Sequence, residues 1–206
     1  FLPDDHEIRL GYSKTVTRPD FKELSPAFFI DPVLDREVIG NPDLVDGSIT
    51  HWDARWDKYF SPTEYASLSV FYKEFTNPIE IIVLAGTANI ITYQNAESAT
   101  NFGIEAEFFK ELGFLGSFWS PFYINANFAW IDSEITLQEN AGGQTNNVRP
   151  LQGQSPYVIN TQFGFDDPDL GIRASLLYNI SGQRISEAST AGRPDIFEQP
   201  FHQLDF

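Results

Sequence analysis

The sequence contains no cysteine and no methionine. Without thiols it forms neither a disulfide nor a thiolate metal site, and a thiol-free chain suits an oxidising compartment. Residue 1 is Phe1 rather than Met, so the chain is expected to be a portion of something longer, without its leader. Cations are scarce: 13 Lys and Arg face 29 Asp and Glu, a net charge of -16. Phosphate binding needs a basic footprint, which excludes nucleic acid as a partner. The chain also lacks any apolar run of about 18 residues, which excludes an ordinary transmembrane helix. A transmembrane strand needs only about ten alternating residues, so a membrane barrel survives that exclusion.

Aromatic residues, by contrast, are plentiful: 19 Phe, 8 Tyr and 4 Trp make up 15% of the 206 residues. Aromatic girdles at two bilayer interfaces account for such a load more easily than a Phe-rich soluble core. In SLSVFYKEFTNPIEIIVL (67–84) and QNAESATNFGIEAEFF (94–109), large apolar residues alternate with Ser, Lys and Glu. Period-two alternation of this kind recurs in eight segments, HEIRLGYSKT, SITHWDARWDKYF, EYASLSVFYKEF, NFGIEAEFFK, FYINANFAW, PYVINTQFGF, GIRASLLYNIS and FHQLDF, and predicts eight strands. Helical periodicity is weak throughout.

The connections alternate in length. FSPTE, ELGFLGSFWSP and DDPDL are short or moderate, whereas 16–47, 77–96, 132–155 and 182–200 are long. Long loops at one end and short turns at the other are the asymmetry of an outer-membrane barrel. Loops of such length are uncommon in compact domains unless they carry a function. The expected fold is therefore all-β, an antiparallel transmembrane β-barrel segment with long extracellular loops and short periplasmic turns. Apolar rows would face lipid, where a midplane charge costs about 2–4 kcal/mol, and the opposite face would tolerate charge. That alternation assigns His51, Asp53, Glu105, Glu107, Asn125 and Asn127 to the lumen.

Several of these segments resemble a known family. VTRPDFKELSP (16–26), IGNPDL (39–44), SVFYKEFTNPIE (69–80), QNAESATNFGIEAE (94–107) and RPLQGQSPYVIN (149–160) are similar, in the same order, to the C-terminal barrel half of TonB-dependent outer-membrane receptors. The resemblance implies about eight strands of a larger barrel of about 22 strands. All of 1–206 would belong to that single barrel domain, with the plug domain and terminal strands lying outside the chain. It also implies a location in the outer membrane of Gram-negative bacteria, and energy from the inner-membrane proton gradient through a TonB complex that contacts the absent plug. The cargo would be a ferric siderophore, haem, cobalamin or an oligosaccharide, with outer-membrane lipid as the other partner. No cofactor and no enzymatic step are implied.

Pro19, Asn41-Pro42, Asn77-Pro78 and the Gln152–Pro156 run read first as strand-to-loop punctuation, since Pro cannot donate to a ladder. His51 and Asp53 share a strand face and read as a hydrogen-bonded pair rather than the start of a metal site, which wants three or four ligands. Glu105 and Glu107, about 7 Å apart along a strand, have the spacing of paired catalytic carboxylates but no suggested cleft. The acidic turn Asp166–Asp169 lacks the pattern of a calcium loop. Recognition concentrates on loops held by a rigid scaffold, so Arg36, Gln144, Asn146, Asn147, Arg149, Arg184 and Arg193 are the candidate ligand donors. Two other readings stay open on the sequence: a complete eight-stranded barrel with a structural or adhesive role, and a soluble carbohydrate-binding β-sandwich using loop aromatics such as Trp119.

Overall fold

The computed structural model describes residues 5–32, 36–84, 90–138 and 143–206. In chain order the strands are β1 (His6–Thr17), β2 (Phe28–Asp31), β3 (Arg36–Ile39), β4 (Gly47–Tyr59) and β5 (Tyr65–Thr76). They continue with β6 (Ile79–Val83), β7 (Ile91–Asn95), β8 (Ser98–Glu111), β9 (Phe122–Thr136) and β10 (Val148–Arg149). β11 (Tyr157–Asp167), β12 (Ile172–Ser181), β13 (Arg184–Glu187), β14 (Ile196–Glu198) and β15 (Phe201–Asp205) follow. Among the described residues one short α-helix, α1 (Phe21–Leu24), and two 3-10 turns, Leu112–Leu115 and Ser117–Trp119, interrupt them; α1 starts where the Asp20 N–H donates to the Glu23 carboxylate at 2.9 Å and stops before Pro26.

The eight alternating segments become one antiparallel up-and-down sheet in the order β1-β4-β5-β8-β9-β11-β12-β15, with β10 also on β9. Registers run unbroken through each of these eight strands' neighbours. β1 and β15 stand at opposite edges and do not pair, so the sheet is open rather than a closed eight-stranded barrel.

Register stacks the apolar residues into rows. Ile8, Trp56, Leu68, Ala106, Phe128, Ile159 and Ile180 lie side by side across seven strands. This face is open: Trp52 is 40% exposed, Phe128 41% and Leu176 44%. A β-sandwich would bury those side chains between its sheets, so the soluble alternative fails. On β9 the apolar residues of this face run from Phe122 to Trp130, about 26 Å along the strand, which matches the apolar band of an outer-membrane barrel.

An aromatic row, Tyr12-Trp52-Tyr72-Phe102, closes the upper end of that band, with ring centroids 5.9 and 5.6 Å apart for its first two pairs. One row higher stand Lys14, Thr50, Glu74, Thr100 and Glu134, all polar. Aromatics followed at once by a polar row mark where lipid gives way to water. Above this line the faces exchange character. Ile135 and Ala99, on the opposite face, are almost fully buried with Ala96 and Leu137 beneath Phe75 and Leu151.

A charge on the lipid face should therefore cost more than one on the other. Phe128→Arg is expected to destabilise the intact receptor in phospholipid vesicles by about 2–4 kcal/mol. Ser69→Arg, on the polar face beside Glu105, should cost far less. Urea unfolding midpoints of the two variants provide the comparison, and equal losses would contradict this assignment of faces.

A loop layer above a polar wall

The long connections, expected to be loops, hold a second layer of structure. β2-β3-β7-β6 form a four-stranded sheet, and β13 pairs with β14. Within the four-stranded sheet, β3 and β7 meet in parallel at Val38 and Ile91, joining the β1–β4 connection to the β5–β8 connection. Val38, Leu44, Ile91 and Tyr93 are buried together under Leu24, Phe29 and Ile79. Asn95 fixes the same junction, accepting from Val45 N–H at 2.9 Å and donating to the carbonyls of Val45 and Asn77 at 3.0 and 2.9 Å. Asn77 itself has φ of 50°, and Pro78 follows, so the chain turns sharply off β5 as the Asn-Pro pair predicts.

Two buried or half-buried ion pairs join the remaining connections. Arg149 Nη2 donates to Glu80 Oε2 at 3.0 Å, tying β10 to β6. Their side chains are 2% and 12% exposed, which makes this the most desolvated ion pair of the layer. Burial pushes the Glu80 carboxyl above its ordinary value, and the attraction and hydrogen bond of Arg149 pull it back. Arg36 Nη1 meets Glu187 Oε1 at 2.7 Å, tying β3 to β13. The third and fourth connections join through a bridge between Gln144 and Thr190, through Asn146 to Asp195 at 3.0 Å, and through Gln152 to the Ser186 carbonyl at 2.8 Å. A cavity of about 520 Å³ opens between them, lined by Ile79, Glu80, Ile81, Gln152, Arg184 and Glu198 among others.

The expected ligand donors are thus mostly occupied. Arg36, Arg149 and Arg184 are each bound to a carboxylate, Arg184 to Glu198 at 2.7 Å. Arg149 lies 5% exposed in a strand rather than on a loop surface. Asn146 holds Asp195; Asn147 is exposed and receives Leu137 N–H at its carbonyl. Both amide atoms of Gln144 are buried without a partner. Arg193 is exposed. Glu80 escaped the sequence reading, although a lone acid inside the apolar run IEIIV is itself a sign of a buried charge needing a cation.

Below the layer, His51, Asp53, Glu105, Glu107, Asn125 and Asn127 all lie on the face opposite the apolar rows. They form no single cluster. His51 Nε2 pairs with Thr15 Oγ1 at 3.1 Å, reaching diagonally past Ser13, its direct partner on β1, and not with Asp53. Glu107 accepts from Arg55 Nη2 at 2.9 Å and from Ser67, in a network that runs on through Asp57 to Arg9. Among the described residues Glu105 has no such partner, so the two glutamates are not an equivalent pair. Further along the same row, Asn179 donates to Asn160, and Asn160 to Asn127 at 2.6 Å. The Asp166–Asp169 turn closes on itself, Asp167 Oδ1 accepting from the N–H groups of Asp169 and Leu170.

Residues 2–205 match a family model described as TonB dependent receptor-like, beta-barrel. The chain belongs to that family. No curated protein sequence matches it. Solved structures similar in fold include the following three. The siderophore receptor PirA from Acinetobacter baumannii superposes with a TM-score of 0.64 at 15% identity, over 99% of this chain and 32% of that one. A mutant of the ferric enterobactin receptor PfeA from Pseudomonas aeruginosa gives 0.62 at 14% identity, over 98% and 30%. The hemophore receptor HasR of Serratia marcescens, a double mutant in complex with its hemophore HasA and heme, gives 0.60 at 13% identity, over 97% and 31%. This TonB-dependent receptor barrel segment therefore spans about a third of the length of those receptors.

Proposed function

We propose that the chain is the wall and part of the extracellular loop layer of a receptor in the outer membrane of a Gram-negative bacterium. In this reading a single barrel domain extends beyond the chain, and a plug outside it contacts TonB. The cargo is a bulky, scarce ligand, a ferric siderophore ahead of haem, cobalamin or an oligosaccharide. One observation carries the reading: an eight-stranded wall with an apolar outer band is topped at one end only by a packed, cross-linked layer made from all four long connections. The siderophore and hemophore receptors similar in fold support the choice of cargo.

Ligand would be held by that layer and the plug apex, and His51, Asp53, Glu105, Glu107, Asn125 and Asn127 would face the plug or water in the lumen. The wall contributes stiffness; its ladders leave strand register no freedom to change during transport. Deleting the gene should abolish growth on one such ligand as sole source of the scarce nutrient, and the intact gene should restore it. Undiminished growth on all four ligand classes would refute the proposal.

A further inference from the structure

Six cations stand in the four long connections: Arg18, Lys22, Arg36, Arg149, Arg184 and Arg193. The first five each lie within 2.7–3.7 Å of a carboxylate. Among the described residues Arg193 is the exception. Over 18–46, 77–97, 137–156 and 182–200 the sequence places thirteen carboxylates against these six cations. The layer is therefore negative as a whole, and five of its six positive groups already have a carboxylate beside them. The cavity between β6 and the β13–β14 pair has apolar walls in Ile79, Ile81 and Ile185 and neutral groups in Gln152 and Ser186, and its charged residues, Glu80, Arg184 and Glu198, are all held in ion pairs.

We propose that this part of the receptor admits an uncharged or cationic ferric chelate and rejects polyanionic ones, a refinement that rests on the receptor reading above. A polyanion approaching the layer meets repulsion over a Debye length, about 8 Å in physiological salt. On arrival it finds only the Arg193 guanidinium free to replace the water that it loses, unless an internal ion pair opens first. A neutral chelate meets neither barrier, and the amides and apolar walls of the cavity suit it. The cavity volume, about 520 Å³, falls in the range of small-molecule sites.

Three synthetic probes test this on the detergent-solubilised intact receptor: a trianionic ferric tris-catecholate, a neutral ferric tris-hydroxamate, and the same hydroxamate bearing an ammonium group. Association is followed by quenching of tryptophan fluorescence. The wild type should bind the neutral or cationic probe and not the trianion. The double variant Glu187→Gln/Glu198→Gln keeps side-chain shape while releasing Arg36 and Arg184. It should speed trianion association at least about tenfold at low salt, with the gain shrinking as ionic strength rises. Its binding of the neutral probe should not change, which also reports an intact fold. Preference of the wild type for the trianion, lost in Arg36→Gln/Arg184→Gln, overturns the charge inference and leaves the receptor reading standing. Failure of every probe on both wild type and Glu187→Gln/Glu198→Gln removes the ferric-chelate reading, and the inference with it.

Discussion

Glu80→Gln is expected to loosen the loop layer by about 3–5 kcal/mol, the cost of leaving one member of a buried ion pair alone. The side chain it would strand is 2% exposed; Nη1 keeps only the Pro150 carbonyl at 3.1 Å, and Nε has no partner among the described residues. Arg149→Met should do comparable damage by stranding the carboxylate. The double variant Glu80→Leu/Arg149→Met should recover most of the loss, because apolar replacement of both partners removes two desolvation costs together. Hydrogen exchange of the β6 and β10 amides in the intact receptor reads the effect, with β4 amides as internal reference. Wild-type exchange in both single variants would show that the pair holds nothing together.

The two single variants should also part company with pH. Burial holds the folded-state value for Glu80 above the ordinary carboxylate value, against the opposing pull of Arg149. Without Arg149 that opposition ends, and the folded value rises further. A carboxyl with a raised folded value keeps its proton in a window where the opened state has lost it. Opening of the layer therefore becomes easier as pH rises through that window and harder again on acidification. Arg149→Met should show this recovery between its raised value and the ordinary carboxylate range. Glu80→Gln, which has no carboxyl there, should not.

Much of the wall was legible in the sequence because a half-immersed strand repeats every two residues. The eight alternating segments became the eight strands of the main sheet, and the split of Trp52, Ala54 and Trp56 from His51, Asp53 and Arg55 is the split between its faces. The reading failed where alternation changes meaning. FYINANFAW ended at Trp130, yet β9 runs on to Thr136. Beyond Trp130 the apolar residues move to the other face, as Ile131 and Ile135, because the strand has left the lipid and now packs against loops. The loop layer was illegible for another reason. β2 and β3 have only four residues each, and IEIIV has no alternation to read. Their partners lie far away in sequence: Arg149 and Glu80 are 69 positions apart, and Arg36 and Glu187 are 151. Among the donors chosen from the loops, Arg36, Arg149 and Arg184 are already bound to carboxylates, since composition counts charges without saying which are paired.

Phe71→Ala should be the most damaging substitution in the wall itself, at about 3–5 kcal/mol. Phe71 is 8% exposed although it sits on the polar face, and it achieves this by lying across Gly103, its direct partner on β8. A Cβ on Gly103 would occupy the space of the ring's Cζ and Cε1 atoms. Lys73 Nζ covers the ring at 4.8 Å, so the aromatic face is sandwiched between backbone and cation. Tyr123 and Gly164 repeat the arrangement between β9 and β11. Gly103→Val attacks the same contact from the other side, forcing the ring out, at about 1–3 kcal/mol. Because both variants destroy one shared contact, Phe71→Ala/Gly103→Val should cost clearly less than the sum of the two. Urea unfolding of the reconstituted intact receptor measures all three. Strict additivity would mean that the ring and the glycine are stabilised by separate neighbours, and that the bare backbone at Gly103 has no part in burying Phe71.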